Sequence, residues 1–260
     1  MNPGDIAKRI GLAVALPLVL FVGWYVFSAG STNFYAPPLS KILTAFGDTW
    51  QTERLKADVA PSLVRLFAGY LLAALIGIGL GVAVGLNRRL RATVEPVLEF
   101  FRAIPPPVLV PVIMLFAGIG NGMKITVIVF GCIWPILLNT VEGVRAVDSV
   151  VLDTARSYGV NGPARLTRVV LPSASPQIAA GLRQALSIAI ILMVISEMFA
   201  ASNGLGFTIV QFQRSFAIPE MWSGIILLGL LGFVLSVLFR LAERRLLRWY
   251  EGLRAAQRAG

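Results

Sequence analysis

The sequence predicts an all-α integral membrane protein with six transmembrane helices, and two observations carry that prediction. Of the 260 residues, 57% are hydrophobic and 14% charged, with a mean hydropathy of +0.78, whereas soluble domains carry about 25% charged residues. The charges also cluster, which leaves long uncharged runs near the roughly 20 residues that a helix needs to cross a bilayer. The expected spans, in a single domain of residues 1–260, are 10–28, 66–86, 97–118, 123–141, 178–198 and 222–240.

Basic residues are distributed unevenly between the two sides that six spans define. Of the 23 lysine and arginine residues, 17 fall on the side that holds both termini. Because such residues concentrate on cytoplasmic loops, both termini and the loop 142–177 are predicted to be cytoplasmic. The net charge of +10 is then explained by topology and contact with membrane lipid, and nucleic-acid binding is not expected.

The chain begins with an expected span and an expected outer helix. Lys8 and Arg9 precede the apolar run 10–28, which is longer than the 7–15 residues of a signal-peptide core and is interpreted as an uncleaved span. The outer loop 29–65 contains SKILTAFGDTW, whose apolar residues fall near one helical face. A short amphipathic helix on the outer surface is therefore expected.

Small residues form a stripe along the second span. Glycine or alanine recurs every fourth residue from Gly69 to Gly85, which lets another helix backbone approach closely. The approaching helix belongs either to the same subunit or to a second copy.

Prolines interrupt the third span, 97–118. Pro105, Pro106, Pro107 and Pro111 remove backbone donors and obstruct helical bonding. They predict either a broken helix of the kind that lines substrate paths or a kinked entry to the span at the membrane interface.

A charged insert follows span four, and its residues 148–166 are called the elbow below. Asp148 or Ser149 can cap a helix that Gly159 stops. A second short helix follows, and Pro172 is expected to end it. The insert has apolar residues that lipid would not cover, so it either docks on a partner or touches lipid headgroups through its arginines.

This insert resembles the EAA loop of ABC importer permeases of the binding-protein-dependent class. That pattern runs Glu-Ala-Ala, three residues, Gly, nine residues, Ile, one residue, Leu-Pro, and three positions here depart from it conservatively. The segments RAIPPPVLVPVIMLFAGIGNGMKI, PILLNTVEGVRAVD and SEMFAASNGLGFTI resemble the nitrate/sulfonate/taurine branch. The residues at the matching spacings are Asp153, Thr154, Ala155, Gly159, Val169, Leu171 and Pro172.

The resemblance implies a type I ABC importer permease fold in a bacterial inner membrane. It implies import of a small anion, such as an alkanesulfonate, taurine or nitrate, by a homodimer of permease subunits. It also implies a periplasmic or lipoprotein solute-binding protein and cytoplasmic ATPase subunits, which bind ATP and Mg and grip the elbow as a coupling helix. The implied ATPase-coupling residues are Asp153, Thr154, Ala155, Tyr158, Gly159, Leu171 and Pro172.

The residue inventory favours a transport subunit over an enzyme. The chain has no G-x-x-x-x-G-K-[ST] stretch, so a partner or an ion gradient must supply the energy. With no His and the single Cys132, which is expected to be buried, a metal site built from these residue types is excluded. No cofactor is expected in this chain. An ion-coupled secondary transporter is the alternative, although Glu197 is the one candidate intramembrane acid.

Candidates for the pathway or a gate are fewer and less specific. Glu197 lies near the outer end of span five, where an interfacial position and a role in the outer gate are expected. Ser196 and Asn203 are neutral polar residues nearby that could face a cavity. Pro106 and Pro111 join the set because they interrupt the third span.

Overall fold

The structure, a computed structural model, describes residues 3–199 and 201–250, with side chains from residue 15 onward. Lys8 and Arg9 lie outside the described side chains. Every regular element in this part of the chain is a helix, which confirms the predicted all-α class. The helices are α1 Pro3–Ser28, α2 Leu39–Thr49, α3 Thr52–Leu86, α4 Arg88–Ala103, α5 Pro106–Ala117, α6 Asn121–Arg145, α7 Ser149–Ser157, α8 Gly162–Phe199, α9 Leu205–Arg214 and α10 Ile218–Leu246.

Four of these helices, α3, α6, α8 and α10, are long and apolar enough to cross a membrane. A fifth crossing results if α4 and α5 count as one broken span. The described apolar part of α1, Ala15–Ser28, is shorter. Two spans extend well beyond their predicted limits, because α3 begins before residue 66 and α8 begins before residue 178.

The predicted third span, 97–118, is instead two helices that meet at an angle of 83°. Ile104 and Pro105 adopt extended conformations between them, with ψ of 119° and 120°. Each of these residues precedes a proline, and the proline ring disfavours the helical conformation in the residue before it. The prolines therefore interrupt the helix, as predicted, and the role of the break in a substrate path stays a prediction.

The glycine stripe of α3 packs directly against α6 of the same chain. A Cβ atom placed on any of four glycines would lie 2.6–2.9 Å from a side-chain carbon of α6, so only glycine permits this separation. In lipid the hydrophobic effect does not drive helices together, so close packing of this kind stabilises their association. The pairs are Gly69 with Ile128, Gly77 with Ile136, Gly81 with Thr140 and Gly85 with Val144.

The other face of α6 packs against α8. A Cβ on Gly181 would lie 2.7 Å from the Pro135 carbonyl oxygen, and Cys132, which is fully buried as expected, donates from Sγ to the Ala185 carbonyl at 3.3 Å. Helix α6 is therefore the centre of a three-helix core with α3 and α8.

Contrary to prediction, Pro172 does not end a helix, because α8 runs through it from Gly162 to Phe199. A π-helical segment, Leu166–Val170, comes two residues earlier, and the Leu171 N–H there reaches back five residues to the Leu166 carbonyl. This wider turn shifts the pairing of donors and acceptors, so the helix continues past a residue without an N–H. In α3, the π segment Leu55–Val59 precedes Pro61 in the same way.

The predicted amphipathic helix is α2, and part of its apolar face is covered by protein, while Leu43 is exposed. Leu39 and Ile42 are buried, and the Trp50 indole Nε1 donates to the Ser223 hydroxyl of α10 at 2.9 Å. The helix therefore packs on α10 instead of resting on lipid alone.

We expect Gly81→Ala to destabilise the protein by about 1–3 kcal/mol, because overpacking forces two tightly packed helices apart. The matched control is Gly79→Ala, since a Cβ at Gly79 has nothing within 4 Å and alanine favours a helix over glycine. Thermal unfolding in detergent measures both variants. An equal midpoint for the two variants would contradict the packing of α3 on α6.

Candidate functional site

The elbow lies at one end of the bundle and contains α7, a glycine turn and the first residues of α8. Helix α7 begins where the Asp148 carboxylate accepts a hydrogen bond from the Val150 N–H at 2.8 Å, which satisfies a free donor of the first turn. After α7 the chain turns at Gly159, whose φ of +71° lies in the left-handed region that favours glycine. A second left-handed glycine, Gly162 with φ +54°, begins α8.

The elbow presents apolar surface away from the bundle. The side chains of Tyr158 and Val150 are 83% and 68% exposed. Asp153 pairs with Arg156 at 3.2 Å, and both side chains are more than half exposed, so this pair contributes little stability. The elbow therefore offers an aromatic ring, an aliphatic side chain and both signs of charge.

The predicted coupling residues divide between this surface and the core. Ala155 is buried and faces the bundle, so it does not lie on the exposed surface. Leu171 packs beside Val170 and Ala174 at the start of α8. Exposed residues of the predicted set are Asp153, Thr154, Tyr158, Gly159 and Pro172.

A buried ion pair lies at the opposite end of the bundle, called the far end below. The Arg65 guanidinium of α3 donates to the Glu197 carboxylate of α8 at 2.6 Å, and the two side chains are 5% and 0% exposed. Arg65 also donates to the Asn121 side-chain oxygen at 2.8 Å and to the backbone and side-chain oxygens of Asn203. The pair thus ties α3 and α8 to the start of α6.

Further hydrogen-bond donors satisfy the oxygens of the Glu197 carboxylate. The Ser62 hydroxyl donates to it at 2.8 Å, and the Gly206 N–H donates at 3.0 Å. The backbone of Gly204, with φ +119°, passes so close that an added Cβ would lie 2.5 Å from the carboxyl carbon. The loop before α9 therefore wraps the carboxylate, and Glu197 is a satisfied buried charge.

Glu197 lies near the end of its helix, as predicted, but its side chain has no exposed surface and is enclosed by protein groups. Arg65 falls at the end of the predicted outer loop 29–65, and its pairing with Glu197 was not predicted from the sequence. One signal was available: Arg65 and Glu197 carry opposite charges near the outer ends of the predicted spans 66–86 and 178–198, and buried intramembrane charges usually pair.

Of the other candidate pathway residues, the structure brings only Asn203 to this cluster. Ser196 is buried and its hydroxyl donates to the Met193 carbonyl at 2.9 Å, within its own helix. Pro106 packs beside Gly131 of α6, and Pro111 is exposed in α5.

A second polar region lies midway along the core. Asn139 of α6 donates to the Gln184 side-chain oxygen of α8 at 3.4 Å, and a cavity of about 370 Å³ beside them is also lined by Arg183 and Ser187. Exposed polar side chains at membrane depth are costly in lipid and usually face a water-filled path or another protein.

Comparison with known proteins identifies one family. Residues 73–248 match the family described as "Binding-protein-dependent transport system inner membrane component". The chain is 30% identical over 252 residues to the taurine transport system permease protein TauC of Escherichia coli, with 94% of this chain and 92% of that protein covered. It is 30% identical to the putative aliphatic sulfonates transport permease protein SsuC of Bacillus subtilis, with 94% and 91% covered. It is 31% identical to the bicarbonate transport system permease protein CmpB of Synechococcus elongatus, with 90% of each covered.

Solved structures share the fold. The inward-facing MetNI methionine ABC transporter matches with a TM-score of 0.64 at 20% identity, covering 73% of this chain and 94% of the matched chain. A crystal structure of an amino acid ABC transporter with histidines matches with a TM-score of 0.56 at 17% identity, covering 83% and 99%.

We expect Glu197→Ala to lower stability by about 3–5 kcal/mol, because it leaves the Arg65 guanidinium buried without a counter-charge. The control is Glu99→Ala, which removes an exposed ion pair with Arg102 of the kind worth about 0–1 kcal/mol. Thermal unfolding of the two purified variants provides the comparison. Loss of stability no greater in Glu197→Ala than in Glu99→Ala would show that the buried pair does not hold the far end together.

Proposed function

We propose, from the premise that this chain belongs to the binding-protein-dependent transport system inner membrane components, that it couples ATP hydrolysis in a separate ATPase to alternating access for a small anionic solute. The chain is a permease subunit of an ABC importer, as its relatives are.

The continuous helix α8 is the observation that carries the mechanism. Its 38 residues run from Gly162, within the elbow, to Phe199, and Glu197 lies in its last turn. At 1.5 Å per residue such a helix is about 57 Å long. A displacement of the elbow is therefore transmitted along one rigid element to the ion pair at the far end.

The elbow supplies the docking surface in this proposal. Tyr158 and Val150 would insert into a groove of the ATPase, and the charges of Asp153 and Arg156 would contact its rim. A well-packed aromatic anchor with a polar surround is how protein interfaces concentrate their binding energy. ATP-driven closure of two ATPase subunits would then move the elbows of two permease copies.

The polar region around Asn139, Gln184 and Ser187 provides the inner part of a path. These side chains would face water at the seam with a second permease copy, since lipid would disfavour them. In this arrangement Pro106 and Pro111 position the broken span beside the path, while Ser196 contributes packing alone.

The proposed solute is a small organic or inorganic oxyanion. The three relatives are named for taurine, aliphatic sulfonates and bicarbonate, each of which bears a negatively charged oxygen group. The proposed assembly contains two permease copies, two cytoplasmic ATPase subunits that bind ATP and Mg, and an external solute-binding protein. Its location is a bacterial inner membrane, with the elbow and both termini in the cytoplasm.

We expect Tyr158→Ser to weaken retention of the ATPase at least about tenfold, since truncating an aromatic anchor costs about 2 kcal/mol or more. ATP hydrolysis is measured per mole of affinity-purified permease. The control is Tyr35→Ser, which truncates a similarly exposed tyrosine at the far end. ATP hydrolysis that copurifies equally with both variants would contradict docking at the elbow, and its absence from the unaltered permease would contradict the coupled function.

A further inference from the structure

We propose that the cavity at the far end binds an oxyanion group of the solute through Lys124. This inference rests on the proposed function and gives the transported anion a binding site in this chain. The cavity has a volume of about 570 Å³, enough for a small molecule. It lies beside the Arg65–Glu197 pair, between the start of α6 and the loop that follows α8. Its polar lining consists of Arg65, Asn121, Lys124, Ser202 and Asn203.

Lys124 is a buried cation without a carboxylate partner. It is 3% exposed, and its ammonium makes one long hydrogen bond, 3.4 Å, to the Gly120 carbonyl oxygen. Among the described residues, no carboxylate oxygen lies within 4.0 Å of this ammonium. Burying an ammonium without a counter-charge is costly, so the site favours the arrival of an anion.

The neighbouring charged residues do not neutralise the positive charge of the Lys124 ammonium. Arg65 repels Lys124 and Glu197 attracts it, but the Glu197 carboxylate is already occupied by Arg65, Ser62 and Gly206. The three charged groups Arg65, Lys124 and Glu197 therefore carry one net positive charge. Asp58, a further acid at this end, accepts from the Gly204 N–H and pairs with Arg54 at 3.7 Å.

Two asparagines add neutral donors to the same cavity. The side-chain oxygens of Asn121 and Asn203 both accept hydrogen bonds from Arg65, which fixes the orientation of each amide. Their NH₂ groups are therefore directed away from the guanidinium, and each has two N–H donors. An oxyanion would be stabilised by these donors together with the Lys124 ammonium and the positive end of α6, which begins at Asn121.

The rest of the lining favours an organic anion. Met114, Ile119 and Phe199 contribute apolar surface to the cavity, against which a short alkyl group can pack while its charged group faces Lys124. The two asparagines are held in place by the same arginine that binds Glu197 on α8. Anion binding is thereby connected to the helix that reaches the elbow.

The test measures anion binding by the purified permease–ATPase complex. Ethanesulfonate, taurine and bicarbonate are the probes, with chloride as the reference anion, and the readout is the thermal unfolding midpoint as a function of anion concentration. A saturable rise is expected for at least one oxyanion, because a ligand that binds only the folded state stabilises it. Ethanesulfonate separates an alkylsulfonate site from a bicarbonate site.

Lys124→Met is the decisive variant, and Lys124→Arg and Lys56→Gln are its controls. Lys124→Met should weaken oxyanion binding at least tenfold, yet leave the unfolding midpoint without anion equal to or higher than that of the unaltered complex. A lysine that merely supported the fold would lower that midpoint when removed. Lys124→Arg should keep most of the binding, and Lys56→Gln, which changes an exposed lysine at the same end, should keep all of it.

The outcomes separate this inference from the proposed function. Equal oxyanion affinities in Lys124→Met and Lys56→Gln, or no saturable response of the unaltered complex to any probe, would overturn the site while a copurifying ATPase still supports the importer. A lower anion-free midpoint in Lys124→Met would also count against it. Failure of the ATPase to copurify with the unaltered chain would instead refute the proposed function.

Discussion

The close contact of α3 with α6 is the constraint on which the rest of the structure depends. Lipid supplies no hydrophobic effect to drive helices together, so association rests on backbone approach, packing and interhelical hydrogen bonds. Four of the five glycines of α3 permit that approach, and a branched side chain of α6 packs against each of them. Because α8 packs on the other face of α6, this contact also sets where Arg65 of α3 meets Glu197 of α8.

The two ends of this core differ in which side chains they bury and which they expose. At the far end, ionised groups are withdrawn from water and held by specific hydrogen bonds, which makes the separation of α3 from α8 costly. At the elbow, apolar side chains are exposed and two turns depend on left-handed glycines. Helix α8 belongs to both ends, and in the proposed function it connects docking at the elbow with opening at the far end. The π segments before Pro61 and Pro172 keep the long helices continuous where proline would otherwise interrupt them.

The sequence predicted those features that depend on local composition. Uncharged runs located the long helices, Gly159 located the turn of the elbow, and the prolines of the third span predicted its break. The fate of Pro172 was not predictable, because a π turn leaves no distinctive residue pattern. The pairing of Arg65 with Glu197 and the inward orientation of Ala155 depend on which helix faces fold together. Spacing along the chain does not determine that choice.

The central claim is that the elbow lies in the cytoplasm under a partner ATPase, and labelling of a single thiol tests it most directly. The one native cysteine, Cys132, is fully buried, so Ser157→Cys adds a reactive thiol on the exposed elbow. In inside-out membrane vesicles, a membrane-impermeant maleimide should label Ser157→Cys when the ATPase has been stripped away and much less when it is bound. Labelling from the outer face of sealed right-side-out vesicles, or labelling that is indifferent to the ATPase, would contradict the account.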